Sequence, residues 1–356
     1  MKKGILFFMG IFALSLNTKA QDGFENILLA ESSDSNKLMQ AYFAPAMEIF
    51  IYSMNNNWYH TAKVHKKFGF DLSIGLSASI VPSEKEMFNI SVLGLSNSIS
   101  SSATSASTFA GPDSPTTFTV TKTVTINDQN SPANGLSRSV TANFDMPGGI
   151  TGDLLLNAVP APVAQLNIGL PFKLEAMVRF FPETSLGDDG GSAKMFGLGL
   201  KKEITSWFGP LDKLPLHVSL LAAYTSMDVN YAFADVNSGN FQMANAAAIF
   251  ELRTYTAQAI ASLNFPFINL YGGFGYSSGT SKFKMAGTYE GEFNYTEASQ
   301  SFTHEESLTP PDMEFDASGF STTLGARLSL GFFKIFGSYT LQEYNTANLG
   351  MAISLR

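Results

Sequence analysis

The chain has 356 residues, 45% of them apolar and only 15% charged, with 30 glycines, 31 phenylalanines, 12 tyrosines and no cysteine. That composition excludes a disordered chain, a coiled coil, a collagen repeat and a disulfide scaffold. A net charge of −8, from 22 Lys and Arg against 30 Asp and Glu, leaves no basic stripe to replace phosphate counterions, so nucleic acid is excluded as a partner.

Lys2 and Lys3 precede an uncharged apolar run from Gly4 to Leu16, and Thr18 and Ala20 set small residues before a cut after Ala20. This pattern predicts a cleaved secretory signal over 1–20; the run is too short to span a bilayer. Lipid attachment needs a cysteine, and there is none. Loss of Lys2, Lys3 and Lys19 with the signal takes the net charge from −8 to −11. No later stretch approaches a transmembrane helix. An exported chain of this kind is soluble or spans a membrane as a closed barrel, and strand periodicity discriminates the two.

Residues 21–67 do not alternate. Asp34 is placed as the N-cap of a helix over Ser35 to Phe43, and Pro45 opens a second helix through Ile51 or Tyr52. The amides Asn55, Asn56 and Asn57, followed by Trp58 and Tyr59, end it, because consecutive amides favour turns. A partly helical segment of this length, just ahead of the first strand, is expected in the periplasm or inside a barrel as a plug. The stretch Lys63, His65, Lys66 and Lys67 reads as a solvated basic run able to touch anionic head groups.

From Phe68 onward period two takes over. Phe68, Phe70, Leu72, Ile74, Leu76, Ala78 and Ile80 alternate with Gly69, Asp71, Ser73, Gly75, Ser77 and Ser79. The same pattern covers Phe172 to Phe180, Phe320 to Leu330 and Ala347 to Arg356, with weaker versions at 86–95, 163–170, 194–201, 215–226, 252–263, 267–279 and 333–342. A soluble sandwich also alternates, but segments of about 10 residues match a tilted bilayer crossing. Phe172, Phe180, Tyr271, Phe274 and Tyr276 are expected as interface girdles on the apolar face.

Tight connections at Pro171, Asn264 to Pro266 and Gly331 to Phe332 contrast with longer polar ones at 182–193, 227–250 and 280–317. Residues 202–214, with Ile204, Trp207, Phe208 and Leu211, suit a short interfacial helix. These features predict an all-β fold: a transmembrane antiparallel up-and-down β-barrel over 68–356, of about 12 strands, or 14 if the Ser/Thr-rich stretch 97–160 adds a pair.

The runs QLNIGLPFKLEAMVRFFP over 165–182, MFGLGLKKEI over 195–204 and LPLHVSL over 214–220, with the Asn55 to Tyr59 run, resemble an uncharacterised family of Gram-negative exported barrels. That family is distantly similar to the long-chain fatty-acid transporter type, which has an N-terminal plug. The resemblance implies an outer-membrane location and passage of a hydrophobic molecule, and assigns no substrate. The terminal Arg356 departs from the aromatic ending common among such barrels.

Opposite the apolar stripes stand Asp71, Lys173, Glu175, Arg179, Lys201, His217, Arg327 and Lys334. An Arg or Lys facing lipid at mid-depth costs about 2–4 kcal/mol, so these charges are expected to point inward and pair. With Asn55, Asn56, Asn57, Trp58 and Tyr59 they form the candidate lumen and plug set. It reads either as a selective polar pathway or as a network tying plug to wall. No catalytic residue, metal site or cofactor is expected: His60, His65, His217 and His304 lack ligand spacing, and Gly197, Gly199, Gly272, Gly273 and Gly275 lie inside alternating strands. Two functions follow. One is a channel or transporter for a small hydrophobic or amphipathic solute, gated by the plug. The other is a closed structural barrel whose acidic loops, above all Glu290 to Asp316, bind a protein or surface partner. Outer-membrane lipids surround either one.

Overall fold

The computed structural model describes residues 24–127, 129, 134–153, 157–186, 191–233, 235–238, 241–297 and 300–355. The expected signal over 1–20, residues 187–190 of one connection, and Arg356 lie outside that set.

Ten strands close into a ring: β1 (Phe70–Ile80), β2 (Ala158–Leu170), β3 (Leu174–Leu186), β4 (Gly191–Glu203), β5 (Leu216–Ala232), β6 (Phe241–Asn264), β7 (Ile268–Glu297), β8 (Met313–Leu330), β9 (Phe333–Leu341) and β10 (Thr346–Leu355). Each pairs antiparallel with its neighbour, and β10 returns to β1 in register from Phe70↔Leu355 to Ser79↔Thr346. Closure pairs the ring's strands on both sides except where the β2–β3 ladder stops short. Exposed Leu72, Ile74, Leu200, Leu270, Phe320 and Leu349 belong to a greasy outer face, while the alternate residues point into the lumen. Tyr271, expected on the outer girdle, is buried inward; Phe274 and Tyr276 do face out.

The ring holds fewer strands than the 12 to 14 expected. Residues 86–95 form the short strand Met87–Asn89, paired with Ser105–Ser107, and a 3-10 turn over Ile90–Leu93. The stretch 97–160 supplies a hairpin, Thr116–Thr125 with Ser137–Met146, that leaves the ring and meets β7 at Asn294↔Thr141. The physical reason is direct: β1 and β2 pair with each other from Phe70↔Ile168 to Ile80↔Ala158, so whatever connects them has no place in the ring. It becomes a cap over the long-loop end.

Two further connections expected as loops are mostly ladder. β6 and β7 run 24 and 30 residues, well beyond the 9–11 that cross a bilayer. Their extensions hold together beyond that length because inward Phe250, Phe283, Met285, Tyr289 and Phe293 pack into one apolar core with the N-terminal segment. At the opposite end the connections are short, Thr205–Lys213 being a 3-10 segment with exposed Trp207 and Phe208.

One helix, α1 (Ser32–Asn55), replaces the two expected, and Pro45 lies inside it. A mid-helix proline costs about 3 kcal/mol in isolation; here the surrounding wall buries the proline and its neighbours Ala46 and Met47. Asp34 is not the N-cap. It sits in the first turn and accepts from Ser96 N (3.0 Å) and Ser96 Oγ (2.6 Å), tying the helix to the cap. The amides do end the helix: Asn56 is the extended C-cap and Asn57 is left-handed at φ 63°.

Candidate functional site

From the long-loop end to the short-turn end, the N-terminal segment threads the whole lumen. Tyr42 donates to Gly148 O in the cap, Ser53 Oγ meets Ser79 Oγ at 2.6 Å on β1, Thr61 Oγ1 meets Ser262 Oγ at 3.3 Å, and His65 Nε2 meets Ser354 Oγ at 3.0 Å near the last residues of β10. Trp58, Tyr59 and Ala62 are buried, so the lumen is closed at this level.

The lower half is polar. Glu175 on β3 is fully buried; Lys201 Nζ lies 2.6 Å from its Oε1, while His65 approaches Oε2 through both Nδ1 (2.7 Å) and its backbone N–H (2.9 Å). Arg179, four residues on and on the same face, donates to Gln165 Oε1 (2.9 Å), Met54 O (2.9 Å) and Asn56 O (2.7 Å), with its guanidinium 3.8 Å from the Trp58 ring centroid. The plug's main chain after α1 is therefore held by one arginine whose five donors and flat cation suit carbonyls and an indole face together. Asp71 on β1 faces His60 Nε2 at 3.2 Å, and His60 Nδ1 meets Arg327 at 3.0 Å. His60 also stacks on Phe336. Gly197 and Gly199 make room for the plug: a Cβ on Gly199 would stand 3.0 Å from the Trp58 ring.

The candidate residues separate accordingly. Asp71, Glu175, Arg179 and Arg327 point inward and pair with the plug, while the plug's own Asn55, Asn56 and Trp58 meet the wall. Asn55 donates to Ser278 O and Asn56 to Gln342 Oε1, both at 3.4 Å. Asn57 lies against β1, where a Cβ on Gly75 would strike its side-chain amide, and Tyr59 packs edge-on against Tyr271. Lys173 and Lys334 stand instead at the short-turn rim. Lys173 occupies the turn between β2 and β3 rather than a strand, so it does not share a lumen face with Glu175. Lys334 Nζ donates to Gly331 O. His217 is also near that rim, 3.0 Å from Glu203 Oε1. His65, expected in a solvated stretch, is drawn in against Glu175, and His60, five residues earlier, against Asp71. Nothing in their local sequence carries that signal, because their partners lie on strands far along the chain.

Above this network the lumen becomes apolar. A cavity of about 150 Å³ lies between α1 and the wall, lined by Met47, Phe50, Val159, Met227, Phe250 and Phe283 among others; Tyr231 brings the one polar side chain among its described lining residues. An apolar space of about this volume accepts a benzene-sized ring. Val159 links the cavity to an interruption in the wall. β2 and β3 pair only from Gln165↔Arg179 to Leu170↔Leu174, and among the described residues no ladder joins 158–164 to 180–186. Val81 N donates to Asn157 O across the β1–β2 pair, so by alternation Pro160 and Pro162 turn their backbone away from β1, toward β3. Proline has no N–H to offer there, which is why this edge stays unpaired.

Comparison with solved structures places outer-membrane barrels beside this chain. Ail of Yersinia pestis, solved with a heparin analogue, is 9% identical, with 81% of this chain and 99% of that one covered at a TM-score of 0.26. The translocator domain of the autotransporter NalP from Neisseria meningitidis is 10% identical, covering 82% and 90%, at 0.27. The outer membrane channel DcaP of Acinetobacter baumannii is 9% identical, covering 81% and 96%, at 0.19. Curated protein sequences returned no significant match. A family model does match, over residues 1–355, and the chain belongs to that family, the family of unknown function DUF6588.

Proposed function

We propose that the protein is an outer-membrane barrel that takes up a small hydrophobic or amphipathic solute from the long-loop side. The plug keeps the lumen shut below the cavity, so the solute leaves sideways into the bilayer through the unpaired stretch between β2 and β3. The observation that carries this reading is the apolar cavity whose wall residue Val159 belongs to that same stretch. A volume of about 150 Å³ suits a ring or the end of an alkyl chain, well short of the about 300–1,000 Å³ of a drug-sized site. The solute class also accords with the resemblance to fatty-acid transporter-type barrels.

The test exploits the absence of cysteine. Ser53 and Ser79, Oγ to Oγ 2.6 Å, are both replaced by Cys to lock α1 to β1, and transfer of a fluorescent single-chain fatty acid into liposomes is followed in reduced and oxidised protein. The lateral route predicts equal transfer in both states. Loss on oxidation would point to a plug that swings aside. No transfer in either state would overturn uptake altogether.

A second reading has its own support. The buried ties from Arg179, Glu175 and Asp71 to the plug suit a permanently closed barrel that presents its acidic long-loop strands, Glu290 to Asp316, to a partner.

A further inference from the structure

The short-turn rim carries charge and aromatic rings that solute uptake does not use. Among the residues whose side chains are described, the acids of this end are all buried: Asp71 and Glu175 pair inward, and Glu203 pairs with His217 and Lys173 at the rim. Lys63, Lys66, Lys67 and Lys173 are exposed there, and Lys202 and Lys334 are half-buried. The exposed acids, such as Glu305, Glu314 and Asp316, stand on the extensions at the opposite end. A chain of net charge −8 thus presents a positive short-turn face.

Two phenylalanines on that face hold left-handed backbone, Phe68 at φ 64° and Phe172 at φ 62°, and Lys173 follows at φ 56°. Bulky L residues rarely adopt this conformation. Their rings are 74% and 84% exposed, so packing inside the protein does not offset the strain. The two sites adjoin, because Phe68 N donates to Gly169 O and Gly169 N to Gly69 O, both at 2.8 Å. Lysines accompany both rings: Lys67 Nζ lies 5.1 Å from the Phe68 centroid, and Lys202 Nζ donates to the Phe172 carbonyl. Lys173 Nζ is 3.8 Å from Glu203 Oε1.

We infer that this corner, formed by the approach to β1, the β2–β3 turn and the end of β4, is a binding site for the headgroup of an anionic phospholipid. Lys67, Lys173 and Lys202 supply the cations for the phosphate. Phe68 and Phe172 enter the boundary between headgroups and acyl chains, where amphipathic and aromatic groups anchor barrels. Apolar surroundings for the rings are what the strained turns obtain in exchange. The site rests on the membrane location proposed above and is independent of solute transport.

Native mass spectrometry of the detergent-purified, full-length mature protein with equal phosphatidylglycerol and phosphatidylethanolamine tests it, with heat-modifiable gel mobility reporting the folded barrel. The wild type should retain phosphatidylglycerol over phosphatidylethanolamine by about a hundred-fold, each of the three lysines contributing roughly five-fold. Combined Lys67→Gln, Lys173→Gln and Lys202→Gln should bring retention to near parity. Lys194→Gln, Lys282→Gln and Lys284→Gln together, at the long-loop end, change charge equally and should leave it intact. Phe172→Gly gives a second arm that relieves the backbone, so lipid retention should fall while stability holds or rises. Equal retention in the two triple variants, or displacement of the lipid by inorganic phosphate alone, overturns the site. A protein lacking heat-modifiable mobility and membrane fractionation would instead refute the barrel reading beneath it.

Discussion

The two halves of the lumen hold the same N-terminal segment by different physics. Going up β7, the inward residues are Asn269, Tyr271, Gly273, Gly275, Ser277, Gly279, Ser281, Phe283 and Met285, so one strand passes from amide through small residues to large apolar ones. Below, the plug is fixed by directional contacts: Glu175 with Lys201 and His65, Arg179 with two main-chain carbonyls, Asp71 with His60. Above, α1 leans on Phe, Met and Ile side chains that make no directional demand, and the fit leaves a cavity. A polar interior cannot tolerate a vacancy, since each unpaired buried group costs about 1–3 kcal/mol, whereas an apolar one can. Empty space therefore belongs to the upper half and directional contacts to the lower.

That contrast is open to attack by substitution. The largest effect should come from Glu175→Gln, which leaves the Lys201 ammonium buried and only 2% exposed without its counter-charge; a loss of about 3–5 kcal/mol is expected in urea unfolding from detergent. Replacing both partners, Glu175→Leu with Lys201→Met, should recover most of it, and failure to recover would argue that the pair is needed for more than holding the plug. Next comes Arg179→Met, which strips donors from Met54 O, Asn56 O and Gln165 and should cost about 3 kcal/mol, read as a lowered temperature for loss of the fast-migrating gel form.

In the upper half Phe50→Ala should cost less, about 1–2 kcal/mol, because Phe50 is only half-buried and lines space already empty. It should also tighten binding of a bulkier fluorescent amphipath; an unchanged affinity would separate the cavity from ligand capture. The smallest effect concerns pH at the junction of α1 with the β9–β10 loop. Lys85 Nζ lies 3.0 Å from Glu343 and 3.1 Å from Glu48, and Tyr52 donates to Glu343. Burial alone would raise the Glu343 carboxyl, but hydrogen bonds from Lys85 and Tyr52 hold it below the ordinary glutamate value. The stability this group adds is present above the unfolded-state pKa of about 4.3 and is lost as pH falls through the lower folded value. Glu343→Gln should flatten that acid dependence, measured as unfolding midpoints at pH 3 to 6 (roughly the window around a glutamate pKa).

Much of the wall was legible because alternation is local. Phe68 to Ile80 and Ala347 to Leu355 show their two faces without knowledge of any partner, and burial follows those faces. Misreadings arose where a residue's role depends on distant chain. Tyr271 sits in a run with two outward aromatics nearby, yet it faces Tyr59 of the plug. His65 looks solvated beside three lysines, yet its carboxylate comes from β3, and that of nearby His60 from β1. Residues 280–297 look like a polar loop until their apolar positions are seen against α1 and the cap.

The amino-acid sequence by itself determined that the chain is strand-rich, alternating and closed by tight connections at one end, because period, turn chemistry and charge content act over a few residues. That the prolines at 160 and 162 leave an edge without donors follows only from the register of β1 with β2. Only the tertiary structure decided that ten strands complete the ring, that α1 runs unbroken through Pro45, and that the lumen is ionic below and apolar above. Closure, threading and inward pairing are global constraints: each residue's partner is set by the register of the whole ring, and no short window of sequence contains that information.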